Sequence, residues 1–186
     1  MKKVYFALFT VILFGFLISK TYAQDKSQEK KVTISFTWAR IQSHGSNQIA
    51  VWIEDTAGNH ICTLFATKFT TTEGYLKRPV SLSEWTAKFD LKNAKQEEVD
   101  AITGATPQSG KQMYTWNCKD KSGKVYPVGT YIVRMEANIH DADKMFFRGK
   151  IKIGGVAGQT NGEITYSRPE LASGNLLFKD VLVEYR

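Results

Sequence analysis

The chain has 186 residues, 23% charged and 42% hydrophobic, with a formal charge of +7 at pH 7. That length suits one domain with a real core, and the basic residues are scattered along it, which argues for solubility and against nucleic-acid binding. No cluster of the two cysteines and three histidines has the spacing of a structural zinc site.

The first segment reads as an export signal. Met1-Lys2-Lys3 is a positive n-region, Val4 to Ile18 is almost wholly apolar, and Thr21-Tyr22-Ala23 has the small residues a signal peptidase reads. The apolar run falls short of the ~20 residues a membrane span needs, so cleavage after Ala23 is expected and residues 1–23 are set aside. Three lysines (Lys2, Lys3, Lys20) leave with this segment, so the charge falls from +7 to +4. The mature protein is then periplasmic or secreted and does not span a membrane. Residues 24–31 read as a flexible polar tail.

From Val32 the pattern has period two. Val32, Ile34, Phe36 and Trp38 alternate with Thr33, Ser35 and Thr37, as in a half-buried strand. Gln48–Asp55 and His60–Thr67 follow, joined by Thr56-Ala57-Gly58-Asn59, where Gly and Asn are expected to supply positive φ in a hairpin. Ser81-Leu82-Ser83-Glu84 has the form of a capping box, and Leu82, Trp85 and Phe89 recur at helical spacing. One short helix is expected there and a further turn around Ala94–Val99, within a helical insertion over about 80–102.

Strand patterning resumes at Gln112–Trp116, then at Thr130–Asn138, Met145–Ile153 and Leu176–Tyr185, with a weak edge strand near Ile164 in a Gly-rich stretch. Short strands with frequent turns and no βαβ alternation predict an all-β, Ig-like antiparallel β-sandwich with a short helical insertion, as one domain over 32–186. Trp38, Trp52, Tyr131 and Val133 are expected to be buried between its sheets.

The stretches Gln48–Phe65, Trp116–Tyr131 and Arg134–Ala137 resemble the Ig-like sandwich of flagellar hook-capping proteins. They are closer still to a related family of periplasmic proteins of unknown function. In the Trp116…Asp120…Gly123…Pro127-Val128-Gly129-Thr130-Tyr131 module, Trp116 would close a strand, Asp120 and Gly123 would make a turn, and Pro127 would stiffen an edge. Gly129 would allow close approach. The module identifies a fold and no activity. Two departures stand out: Cys62 where the family usually has Arg, and Cys118 where it has Gly. An exported pair can form a disulfide if its Cα atoms come within about 7 Å, and these departures add some weight to that pairing.

The same family carries a Trp-containing insertion and a D-A-V-T-G-A-T element, matched here by Trp85 and by Asp100, Thr103, Gly104, Ala105 and Thr106. The element also resembles the D-x-x-[ST]-G-A-[ST] acceptor of exported FMN-binding proteins, a likeness that implies covalent FMN on the Thr106 hydroxyl. It also implies a flavin transferase and a membrane reductase as partners. Small residues at Gly104 and Ala105 would bare backbone N–H groups to phosphate, with Lys111 near enough in sequence to help neutralise it. The alternative is a plain turn, in which Gly104 takes positive φ, Pro107 fixes φ and Asp100 caps local N–H groups. Where flavin acceptors usually continue with Ser or Thr, this chain has Pro107-Gln108-Ser109.

Other candidates are bland. His140-Asp141-Ala142-Asp143 could hold a cation but reads first as a hairpin turn, and His44 and His60 fall in turn sequence. The adjacent pairs Glu54-Asp55 and Glu97-Glu98 do not suggest a two-carboxylate hydrolase. With no nucleophile motif, the leading expectation is a non-catalytic periplasmic binding or accessory module contacting a periplasmic or membrane protein. The alternative is a flavin-linked electron-transfer component.

Overall fold

The computed structural model describes residues 30–42, 45–138, 143–170 and 176–186. The expected signal peptide, His44 and His140–Ala142 lie outside the described residues.

Alternation along β1 (Val32–Trp38) buries Val32, Ile34, Phe36 and Trp38 and leaves the intervening Thr and Ser half-buried. This strand sits centrally in the first sheet, antiparallel to β5 (Gly110–Trp116) on one side and β10 (Phe178–Tyr185) on the other. β8 (Gly158–Thr160) adds a short edge to β10. In β10, Phe178 and Val181 both face the core although three residues apart, which a regular strand forbids. A bulge resolves the conflict: the register shifts between Ser35 and Thr37, and Asp180 takes φ +54.

The second sheet has the order β4 (Thr103–Gly104), β3 (His60–Thr67), β2 (Gln48–Glu54), β6 (Gly129–Asn138), β7 (Lys144–Ile153), β9 (Glu163–Tyr166). All its pairs are antiparallel except β3–β4. Side chains from the inner faces of both sheets form one apolar core, with Trp38, Met135, Phe147 and Phe178 near its centre. This is the expected all-β sandwich with a helical insertion.

The β2–β3 hairpin forms as expected, but only Gly58 has positive φ (+84). Asn59 instead donates through Nδ2 to Asp55 Oδ2 (2.8 Å), while Asp55 Oδ1 accepts from the Ala57 and Asn59 amides.

The insertion begins earlier than its sequence pattern suggested. A π-helical turn, Thr70–Gly74, leads into α1 (Tyr75–Lys77), followed by α2 (Ser83–Phe89) and α3 (Gln96–Ile102). Its entry depends on Gln48, fully buried on β2, whose Oε1 accepts from Thr67 Oγ1 (2.6 Å) and from Thr70 Oγ1 (3.0 Å). No periodicity rule points to a buried glutamine as the nucleus of a helical turn.

The insertion lies on the outer face of β2, so all seven β2 residues are buried. Ile49, Val51 and Ile53 face the sandwich core, while Ala50 and Trp52 join Ala66, Leu82, Trp85 and Val99 in a second core. Trp38, Tyr131 and Val133 are buried between the sheets as expected, but Trp52 is buried beneath the helices.

The capping box does not form. Leu82 precedes α2 at φ +49, and no side chain of its own turn caps it. Ser81 donates instead to Asn138 Oδ1 (2.9 Å), and Glu84 pairs with Arg134. The Trp85 amide is capped from another element: Glu136 Oε2 on β6 accepts it at 3.0 Å. Tertiary contacts outcompeted the local motif.

Candidate functional site

Asp100 to Thr106 runs from the end of α3 into β4 and out towards β5. Asp100 is exposed and accepts from Gln96 Nε2 (2.8 Å), so its side chain caps no backbone N–H in the turn. Thr103 Oγ1 donates to Val99 O (2.6 Å) and lies 2.8 Å from Thr71 Oγ1. Thr103 and Gly104 pair with Ala66 and Thr67 as a parallel edge. Gly104 does not have positive φ. It is needed for close approach, since an added Cβ would lie 2.3 Å from Phe65 Cε2. Ala105 is exposed; Thr106 is half-buried and donates to Asn47 O at 3.2 Å. Trp38 Nε1 donates to Pro107 O (3.1 Å) and the Arg40 amide to Ser109 Oγ (2.9 Å), which ties the following residues to the end of β1. Lys111 is exposed on β5, opposite Thr37.

The Trp116–Tyr131 module folds around its aromatics. The Trp116 ring centroid is 5.1 Å from that of Tyr131 and 5.5 Å from that of Tyr126, and Tyr131 donates to Pro127 O at 2.9 Å. Asp120 Oδ1 accepts from the Ser122 and Lys124 amides, and Gly123 takes φ +84 to close the turn. Cys118 has φ +57, the left-handed region that favours glycine. Gly129 has no close neighbour, so the expected close approach is not there. It lies at Gly154, whose added Cβ would fall 2.4 Å from Val128 Cγ2.

Both cysteines are free thiols. Burial pushes the Cys62 thiol up to about 12, with Cys118 adding to the shift. Burial likewise raises Cys118 to about 11.

A groove of about 560 Å³, absent from the sequence reading, opens between α3 and the residues that follow β5. Five consecutive residues, His60 to Leu64, form one wall; Phe89, Ala101, Trp116 and Tyr126 contribute further surface. Lys121 on one bank pairs with Glu98 on the other. Burial lowers the His60 imidazole below its ordinary value, and its Nε2 lies 2.9 Å from Thr63 Oγ1. Trp116 is only 2% exposed, and its indole N–H has no acceptor among the described residues. The clustering of Trp116, Tyr126 and Tyr131 near a turn was the available signal for this place, but sequence could not show which sheet edge lay beside it.

Among the described residues, no group of three or more His, Cys, Asp or Glu side chains is placed to hold a metal ion, and Asp143 pairs with Arg168. No helix among them is long and apolar enough to cross a membrane.

The fold and groove define a β-sandwich protein with a helical cover on one sheet. Residues 29–166 match a family described as "Predicted periplasmic protein (DUF2271)", and the chain belongs to that family. No curated protein and no solved structure matches it.

Proposed function

We propose that this chain is an exported, non-catalytic binding module of the periplasm and that the groove beside β3 is its binding face. The observation that carries the reading is the buried, unpartnered Trp116 donor at a groove with aromatic walls. Buried N–H groups are almost always paired; this one is not, among the described residues, and its side chain lines the open groove. The groove's titratable groups suit binding more than reaction. A thiol near 12 holds its proton at neutral pH and is a poor nucleophile, and a histidine with lowered pKa stays neutral beside it.

The test is photocrosslinking in cells that export the protein. Benzophenone side chains at the groove positions Ala101 and Thr115 should give a discrete adduct, and those at Gln159 and Glu163 should not. Equal labelling at all four, or none from the groove, would overturn the reading. The mature protein should begin at Gln24; N-terminal sequencing of exported material checks this.

A second reading is favoured by one specific feature. Thr106 lies on the β4–β5 connection beside exposed Ala105, its hydroxyl held by a single 3.2 Å bond. That hydroxyl is within reach of a transferase, although Gly104 is backed by Phe65 and is less open than an acceptor loop requires. In this reading the Thr106 oxygen takes the FMN phosphate of FAD and AMP leaves, and the product serves a membrane flavin reductase system. Intact mass after treatment with FAD, Mg²⁺ and a flavin transferase tests it. An adduct lost in Thr106→Val supports it; an unchanged mass sinks it.

A further inference from the structure

We infer that the groove takes an extended, uncharged peptide segment of a partner protein, added as a strand along the His60–Leu64 edge of β3. This inference rests on the binding-module reading above. On one side β3 pairs with β2 along its length; on the other it pairs with β4, and only at Ala66 and Thr67. That short pairing shows that the edge accepts a strand. Beyond it, no strand among the described residues pairs with the outer side of His60 to Phe65.

Five consecutive residues of this stretch line the groove. β3 is irregular here, its register against β2 shifting between Val51 and Trp52 and between Ile53 and Glu54, so residues from both of its faces line the groove along the unpaired edge. Five strand residues span about 16 Å, enough for a peptide of similar length. Exposed edges are usually blocked by proline, charge or a covering element, and His60-Ile61-Cys62-Thr63-Leu64 contains neither proline nor a formally charged side chain at neutral pH. Main-chain pairing at such an edge supplies affinity, while pockets for alternate side chains supply selectivity. In this proposal a carbonyl of the added chain meets the indole N–H of Trp116, which lines the groove and is buried without an acceptor among the described residues of the free chain.

The banks decide the charge of the occupant. The formally charged residues lining the groove are Lys119, Asp120 and Lys121 on one bank and Glu98 on the other. Lys121 is paired with Glu98 across the groove, and Asp120 is occupied by its own turn. No net charge remains to reward an acidic or basic peptide, so the segment that fits best is uncharged, with apolar or hydroxyl side chains.

The test uses the mature chain and a six-residue peptide alternating valine and threonine, acetylated and amidated at its ends. Amide resonances of His60 to Leu64 and the Trp116 indole N–H should shift on titration. The same peptide with methylated backbone nitrogens should not bind, because strand addition needs its N–H groups. Trp116→Phe should weaken binding by about tenfold, with amide shifts outside the groove unchanged as the check on its fold. Equal binding of the methylated peptide, shifts elsewhere, or no binding at millimolar peptide would overturn the proposal. So would a concentration-dependent dimer protecting this same edge, which would assign it to a second copy of the chain. If Ala101 and Thr115 still crosslink while the peptide fails to bind, strand addition falls and the binding module stands; if both fail, both fall.

Discussion

The two cores of this protein are held together differently. Between the sheets the buried side chains are almost entirely apolar, contributed by strands of regular alternation. Beneath the insertion the apolar cluster is small, and buried polar groups do the orienting. Gln48 gathers the hydroxyls of Thr67 and Thr70, Ser81 reaches Asn138, and Glu136 caps Trp85. Burial of apolar area is non-directional, whereas a buried polar group costs free energy unless its partner is in place. The sandwich should therefore tolerate repacking, and the insertion should respond to single polar changes.

The sharpest way to break the contrast is in the sandwich. Trp38→Ala should cost about 3–5 kcal/mol, read as a lower urea midpoint with all amides losing protection together. A loss confined to the helices would refute the assignment of Trp38 to the global core.

Glu136→Ala removes the cap of the Trp85 amide and the carboxylate 3.3 Å from Lys144 Nζ. Its expected cost is about 1–3 kcal/mol, the penalty for a buried donor left unpaired. Hydrogen exchange should quicken in α2 while β1 and β10 stay protected. The same residue gives a pH signature. Burial holds the Glu136 carboxyl above its ordinary value, so the folded state keeps its proton longer than the unfolded chain does. Its contribution to stability is full below the unfolded value of about 4.3 and declines as pH rises through the folded value. Glu136→Gln should flatten that decline in urea unfolding measured between pH 4 and 7; an identical slope would refute it.

Gly104→Ala sharpens the contrast at the edge where the two regions meet. The new methyl would press on Phe65, an overpacking cost of about 1–3 kcal/mol. Combining it with Phe65→Leu should recover part of the loss, and strict additivity would mean that the two do not touch. The smallest effect is Tyr131→Phe, which deletes the bond to Pro127 O and should cost about 0.5–1.5 kcal/mol in thermal unfolding.

How much was legible follows from range. Strand alternation reports burial of one face without reference to any partner, so Val32–Trp38 could be placed on the core from its own residues. Hairpin chemistry at Gly58 and the Asp120–Gly123 turn are likewise local. The spacing of Leu82, Trp85 and Phe89 marked a helix correctly, yet the Ser81–Glu84 motif misjudged what caps it, because the winning acceptor comes from β6. Trp52 was legible as buried but not as to where, since a strand covered on both faces reads simply as apolar. The role of Gly104 was also out of reach: close approach to Phe65 depends on a neighbouring strand.

By itself the sequence determined which segments alternate as strands and that a helical insertion interrupts them, because each is written in patterns among residues near one another in the chain. Only the tertiary structure decided that the insertion covers one sheet, that Thr106 leans on Asn47, and that the open edge of β3 lies beside an unpaired Trp116. Those relations join segments as far as 59 residues apart, and no local spacing encodes which of them meet.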